Sequence, residues 1–124
     1  MALTVSATIV VVERDPAAQE LIDQPLRGSG HRVLITRDPQ EALKLGRQVR
    51  IDVFVGDAEL WREHGSFVEW LRSIQAEMRL VRVCDSDDQY LSELAGGVCL
   101  CRSFALEELE RAVAQALRCE PPVK

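Results

Sequence analysis

Short runs of apolar residues alternate along the chain with segments in which apolar residues recur every three or four positions. Continuous apolar runs are typical of parallel strands that are buried on both faces, whereas the longer spacing is typical of amphipathic helices. The apolar runs predict five strands, at Thr8–Val12, His31–Thr36, Ile51–Asp57, Leu80–Cys84 and Val98–Cys101.

A helix is predicted after each strand. The first two begin at Asp15 and Asp38, each followed by proline, which is a typical N-cap signal. Pro25 lies late in the first helix and predicts that this helix is kinked or shortened. A short fourth helix is predicted around residues 90–94. The apolar positions at helical spacing are Leu21, Ile22 and Leu26 on the inner face of the first helix, Ala42, Leu43 and Leu45 in the second, Phe67, Trp70, Leu71 and Ile74 in the third, and Leu106, Leu109, Val113 and Leu117 in the last.

Five strands alternating with five helices predict an α/β fold, a doubly wound five-stranded parallel sheet with helices on both faces. The right-handed crossover rule favours the strand order 2-1-3-4-5 at this size. In that order the carboxyl ends of the first and third strands are neighbours. Residues 13–15 are therefore expected to face Asp57, with Cys84 and Arg102 arriving from the fourth and fifth strands.

The composition indicates one globular domain. The chain has 124 residues, 47% of them hydrophobic and 28% charged, and its net charge of -5 provides no basic surface for nucleic acid. The longest apolar run, 7–12, is too short to span a membrane, and no secretory signal precedes it, so we expect a cytoplasmic location. We expect residues 1–119 to form the domain, and residues 120–124 to be a tail or the start of a linker.

The cysteines are Cys84, Cys99, Cys101 and Cys119. Their spacing contains no Cys-x-x-Cys pair, and neither histidine is close to a cysteine in sequence, which argues against a zinc site. Reduced structural thiols are the expected state, with a redox pair or thiol sensor as the alternative.

Three segments are similar to one known family. They are the end of the first strand, Glu13-Arg14-Asp15-Pro16, the third strand, Asp52-Val53-Phe54-Val55-Gly56-Asp57, and the end of the fifth strand, Arg102-Ser103-Phe104. In this order and spacing the chain resembles the receiver domain of two-component response regulators, from about Thr8 to Leu117. The resemblance implies the flavodoxin-like fold of CheY-like domains.

The resemblance also implies roles for individual residues. Asp57 is in the phosphoacceptor position, and its partner would be a histidine kinase or a phosphotransfer protein. Arg102 is in the position of the family's lysine, Cys84 in that of the switch hydroxyl and Cys99 in that of the switch aromatic residue. Glu13 and Asp57 would ligate Mg²⁺.

Several positions depart from the family pattern. Arg14 replaces an acid that ligates the metal, and a guanidinium has no lone pair to donate, which predicts a weak or absent magnesium site. Asp15 is a substitute ligand or, more simply, a helix cap. Ser103 and Trp61 stand where the family has prolines. One hypothesis is that Arg14 and Arg102 pair with Asp57 and replace the metal.

The resulting expectation is a protein-interaction switch in two-component phosphorelay signalling, not an enzyme. A partner protein or output domain would bind the surface formed by the fourth helix, the fifth strand and the fifth helix, to which Tyr90 and Leu91 belong. A homodimer through this surface remains open. The alternative is a pseudo-receiver, an interaction module that is not phosphorylated. A flavodoxin-like cofactor protein is disfavoured because no phosphate-binding loop follows the first strand, and His64 is read as a solvated loop residue.

Overall fold

The computed structural model describes residues 6–57, 68–75, 77–84, 98–101 and 105–118. Their centre is a parallel sheet of five strands in the order β2-β1-β3-β4-β5. This is the strand order expected from the sequence, and the predicted doubly wound α/β fold is confirmed. The strands are β1 (Thr8–Val12), β2 (Arg32–Thr36), β3 (Val53–Asp57), β4 (Arg79–Cys84) and β5 (Val98–Cys101).

Three long helices connect or follow these strands, α1 (Pro16–Gly28), α2 (Pro39–Gln48) and a C-terminal helix (Leu106–Arg118). Residues 68–74 are also helical. The side chains of Asp15 and Asp38 accept hydrogen bonds from the backbone N–H groups of Ala17 and Gln40, so both predicted N-caps are confirmed. The fourth helix predicted around residues 90–94 lies outside the described residues.

The strands are apolar on both faces because helices cover the sheet on both sides. One core cluster joins Ile9, Val11, Val53 and Val55 to α1 and the C-terminal helix. The other joins Val10, Val12, Phe54 and Leu80 to α2 and to Val68 and Leu71 of the helical residues 68–74. Alternation along β1 to β4 assigns successive apolar residues to opposite clusters, which explains their apolar runs in the sequence.

Of the expectations about α1, the inward position of Leu21 and the shortening at Pro25 are wrong, and the alternative of a kink at Pro25 stays a prediction. Leu21 is 58% exposed, because the inward stripe of the helix passes through Ile22 and Leu26, four residues apart, and Leu21 lies about 100° away around the helix axis. Pro25 does not shorten α1, which continues to Gly28. Ser29 N–H donates to the Pro25 carbonyl at 3.0 Å, so the backbone hydrogen bonds resume directly after the proline.

Strand β2 is an edge of the sheet, and an arginine of α1 reaches it. Arg27 Nη2 donates to the Val33 carbonyl at 2.8 Å, and Arg27 Nε donates to Asp23 Oδ1 at 2.5 Å.

Along the described part of the chain, no helix combines the length and apolar character needed to cross a membrane.

Candidate functional site at the carboxyl end of the sheet

Asp57 is the last residue of β3, a central strand of the sheet. The register pairs Val12 of β1 with Gly56, so Glu13 follows β1 beside the position of Asp57. On the other side Asp57 pairs with Val83, and Cys84 is the next residue of β4. The predicted meeting of these chain segments at one edge of the sheet is confirmed at the level of the backbone.

Hydrogen bonds hold Glu13 in place at the carboxyl end of the sheet. Its side chain is 9% exposed, and its backbone N–H donates to the Thr36 carbonyl at 3.0 Å, which extends the β1–β2 ladder by one residue. The Glu13 carbonyl accepts from Gln19 Nε2 at 2.6 Å, and Glu13 Oε2 accepts from the Asp15 N–H at 3.2 Å. A nearly buried carboxylate is therefore fixed next to the end of β3.

Asp15 has a different task from Glu13. Its side chain is exposed, and Oδ1 accepts from the Ala17 N–H at 3.2 Å while its carbonyl accepts from the Gln19 N–H at 2.9 Å. These are the contacts of an N-cap residue. Of the two interpretations of Asp15 from the sequence, the structure supports helix capping.

Several residues of the predicted site lie wholly or partly outside the described residues. Cys84 and Cys101 end their strands and are register partners, and the chain then leaves the described part before Arg102. The roles predicted for the side chains of Asp57, Cys84 and Cys99 remain predictions. The predicted positions wholly outside the described residues are Trp61, His64, Tyr90, Leu91, Arg102 and Ser103.

No protein-family model and no curated protein sequence matches the chain. Solved structures do match. A response regulator from Thermotoga maritima has a TM-score of 0.81 and 21% sequence identity, covering 93% of this chain and 100% of that chain. For the chemotaxis response regulator CheY4 of Vibrio cholerae the TM-score is 0.78 and the identity 20%, over 91% of this chain and 100% of that chain.

A third match is the receiver domain of a sensor histidine kinase from Pseudomonas aeruginosa, whose structure has a magnesium ion coordinated in the active site cleft. Its TM-score is 0.76 and its identity 23%, over 91% of this chain and 98% of that chain. The chain has the receiver fold. The resemblance seen in the sequence is thus confirmed for the architecture of the chain.

The receiver fold implies a magnesium site at this edge, but the donor set of the described residues does not fit one. Mg²⁺ prefers an octahedron of oxygen ligands. Glu13 offers a carboxylate, of which one oxygen already accepts a hydrogen bond, while Arg14 offers none and Asp15 caps α1. Among the side chains that the structure describes, which do not include that of Asp57, no group of three or more from histidine, cysteine, aspartate or glutamate is placed to hold a metal ion.

Reasoning from the sequence missed one unusual residue of this fold, the buried Arg82 in β4. It is 1% exposed and has the largest fully buried side chain among the described residues. Its register partners are Gly56 on β3 and Cys99 on β5. Burial lowers the pKa of the Arg82 guanidinium below its ordinary value. The signal that could have revealed it is a charged residue inside the apolar run Leu80-Val81-Arg82-Val83 of a central strand.

Proposed function

We propose that this chain is a cytoplasmic receiver-type module of two-component signalling, a protein-interaction switch with Asp57 at the phosphoacceptor position. One observation carries the proposal. The register of β1 and β3 brings a fixed carboxylate, Glu13, beside the end of the strand that delivers Asp57, at the point where the strand order reverses. Open α/β sheets bind their ligands at this point.

In this proposal the Asp57 carboxylate is the nucleophile. One of its oxygens attacks the phosphorus of a phosphohistidine on a kinase or phosphotransfer protein, the P–N bond breaks, and the imidazole leaves with a proton. The added charge shifts the population between two conformations of the module. The surface that reports this shift would include β5 and the C-terminal helix, where an output domain or partner protein binds. The module performs no enzymatic turnover of its own.

A second candidate function is a pseudo-receiver that binds its partner without phosphorylation. The observation that favours it is the donor set described above, because Arg14 follows Glu13 where a receiver would have a second acid. A cation at this position repels Mg²⁺ and stabilises a negative charge nearby. The interaction surface would then be held permanently in one state.

Treatment with a small phosphodonor, acetyl phosphate, in the presence of Mg²⁺ separates the two candidates. A receiver gains the mass of one phosphoryl group, and the gain disappears in Asp57→Asn. The matched control is Asp52→Asn, which removes a charge directly before the start of the same strand, where Asp52 Oδ2 accepts from the Thr8 N–H at 2.8 Å. Wild-type protein that gains no phosphoryl group in intact-mass spectra would establish the pseudo-receiver instead.

The substitution Arg14→Asp is expected to strengthen Mg²⁺ binding, because it replaces a cation by a carboxylate beside Glu13. The affinity is measured by tryptophan fluorescence during a Mg²⁺ titration. Trp61 follows Asp57 by four residues, and Trp70→Phe removes the second tryptophan, whose ring lies 5.0 Å from the Arg47 guanidinium carbon. Arg14→Gln is the control for loss of charge alone. Equal titration curves for wild type and Arg14→Asp would contradict the expectation.

A further inference from the structure

Three of the four cysteines lie on two neighbouring strands, and two of these end their strands. Cys84 is the last residue of β4, and Cys99 and Cys101 belong to β5. The register makes Cys84 and Cys101 direct partners, and it pairs Cys99 with Arg82. Leu100 belongs to the core cluster on the α1 face, so residues 99 and 101 belong to the opposite face, together with their register partners.

The register separates one cysteine pair from the others. Partners on neighbouring strands have Cα atoms about 4.8 Å apart, within the range of about 4.4–6.8 Å that a disulfide spans. Cys84 and Cys99 are offset by two residues, which places their Cα atoms about 8 Å apart and beyond the reach of a disulfide. Cys99 and Cys101 are separated along one extended strand by about 6.6 Å, at the far limit of the range.

Arg82 is a second and independent feature of this face. Its guanidinium is buried, it is the register partner of Cys99, and it precedes Cys84 by two residues on the same strand. A fixed positive charge near a thiol favours the thiolate, which is the form that reacts with oxidants. The same charge disfavours a bound metal cation. The three cysteines of β4 and β5 are therefore better suited to oxidation than to metal binding.

We propose that Cys84 and Cys101 form a reversible disulfide between β4 and β5 when the protein meets a peroxide. One thiolate attacks a peroxide oxygen, the O–O bond breaks, and the thiolate becomes a sulfenic acid while hydroxide leaves. The second thiol then attacks that sulfur and releases water. In sum, two thiols and one hydrogen peroxide give one disulfide and two waters, and a cellular dithiol reverses the reaction.

The disulfide would join the two strands directly beside the proposed phosphoacceptor edge. Val83, the residue before Cys84, is the register partner of Asp57, and Cys101 is the last residue of β5. Oxidation would fix the spacing of β4 and β5 at this edge. The choice of the cysteine pair depends on the strand register alone, and the inference holds for a phosphorylated receiver and for a pseudo-receiver.

The test uses the full chain, reduced, freed of reductant, treated with hydrogen peroxide and then alkylated. The expected product has lost the mass of two hydrogens and carries two fewer alkyl groups than the reduced control. Cleavage before Asp85, after Leu100 and after Arg111 places the four cysteines on different peptides, so linked peptides identify the pair. We expect a link between Cys84 and Cys101, present in Cys99→Ser and Cys119→Ser and absent in Cys84→Ser.

A link that involves Cys99 or Cys119, a link between two molecules, or thiols that remain unlinked in the wild-type protein would overturn the proposal. Because the linked peptides of the wild-type protein identify the cysteine pair directly, the outcome does not depend on the folding of any variant.

The contribution of Arg82 is tested by the rate at which the disulfide forms. Arg82→Met should slow disulfide formation about threefold, the net of fewer thiolates and a more nucleophilic thiolate. The matched control Arg79→Met alters an arginine at the start of the same strand, and equal rates in the two variants would overturn the part assigned to Arg82.

Discussion

Glu13, Arg14 and Asp15 are consecutive residues with three different environments. Glu13 is nearly buried and follows β1 beside the end of β3, Arg14 is exposed, and Asp15 is exposed and caps α1. The reason is local geometry, since the chain leaves an extended strand at Glu13 and must satisfy the free N–H groups of a helix by residue 17. Two acids that are close in sequence therefore cannot exchange their roles.

The capping role of Asp15 is tested by a pair of substitutions. Asp15→Ala should lower the free energy of unfolding by about 1 kcal/mol, whereas Asp15→Asn should change it by only a few tenths, because asparagine is an equally good N-cap. Urea denaturation measures both values. Asp38→Ala and Asp38→Asn form the matched pair at α2, where the same pattern is expected. A cost of Asp15→Asn equal to that of Asp15→Ala would show that the charge matters and not the cap.

His31 gives the fold a dependence on pH. Its Nδ1 accepts from the Ala7 N–H at 3.1 Å, and burial lowers the pKa of His31 below 6.5, although the charge of Glu110 opposes the shift. The unfolded chain thus binds this proton more readily than the folded one, so stability should increase as pH rises through 6.5 and decrease below it.

Urea midpoints on either side of this pH measure the effect. His31→Asn, which keeps an acceptor but does not titrate, is the control, and the difference between the two pH profiles isolates His31. Parallel profiles would refute the assignment.

At the level of elements, α2 and the helical residues 68–74 approach each other closely at Gly46. A Cβ atom there would lie 2.5 Å from Leu71 Cδ1 and 3.7 Å from both Ile51 Cδ1 and Ile74 Cδ1. Leu71 is fully buried and has little room to move. Glycine at this helix position is therefore explained by packing, although it is a poor helix former.

The substitution Gly46→Ala should lower the free energy of unfolding by about 1 kcal/mol, since overpacking of about 1–3 kcal/mol outweighs a gain in helix propensity of up to about 1 kcal/mol. Gly28→Ala is the matched control in α1, because a Cβ there meets no atom within 4 Å. It should be neutral or slightly stabilising. The opposite ranking of the two variants in urea denaturation would contradict this account of the helix contact.

The elements differ in how far the sequence predicts them. The strands of the sheet are buried on both faces, so their apolar runs predict them well, and the carboxyl end of β3 predicts the position of Asp57. The inner face of α1 was assigned wrongly at Leu21 because three apolar residues lie close together and periodicity does not separate their angles. The burial of Arg82 was not predicted. A charged side chain is buried only where other groups offset the cost of removing its charge from water, and the fold alone brings such groups together.

At the scale of the whole molecule, one sheet supports two cores. Strands β1 to β4 contribute residues both to the cluster under α1 and to the cluster under α2. Neither cluster can lose its packing without exposing the strands of the other. This predicts a single cooperative unfolding transition.

The prediction is tested with two probes in one urea titration. Far-ultraviolet circular dichroism reports all helices and strands, whereas the fluorescence of Trp70 reports the α2 side, where its ring lies beside Arg47. A Trp61→Phe variant leaves Trp70 as the fluorescent probe. We expect coincident midpoints and a slope of about 1–2 kcal/mol per molar urea. Two separated midpoints would show that the two faces unfold independently.

The contact of Arg27 with β2 has a consequence for self-association. An edge strand offers its outward N–H and C=O groups to any other extended chain, and such edges are common starting points for aggregation. Arg27 occupies the outward carbonyl of Val33, and Asp23 keeps the arginine in place. A second molecule would have to displace this charged side chain before it could add a strand to the sheet. The contact of Arg27 with β2 therefore disfavours the addition of a further strand at this edge. Two copies of the chain would associate through other surfaces.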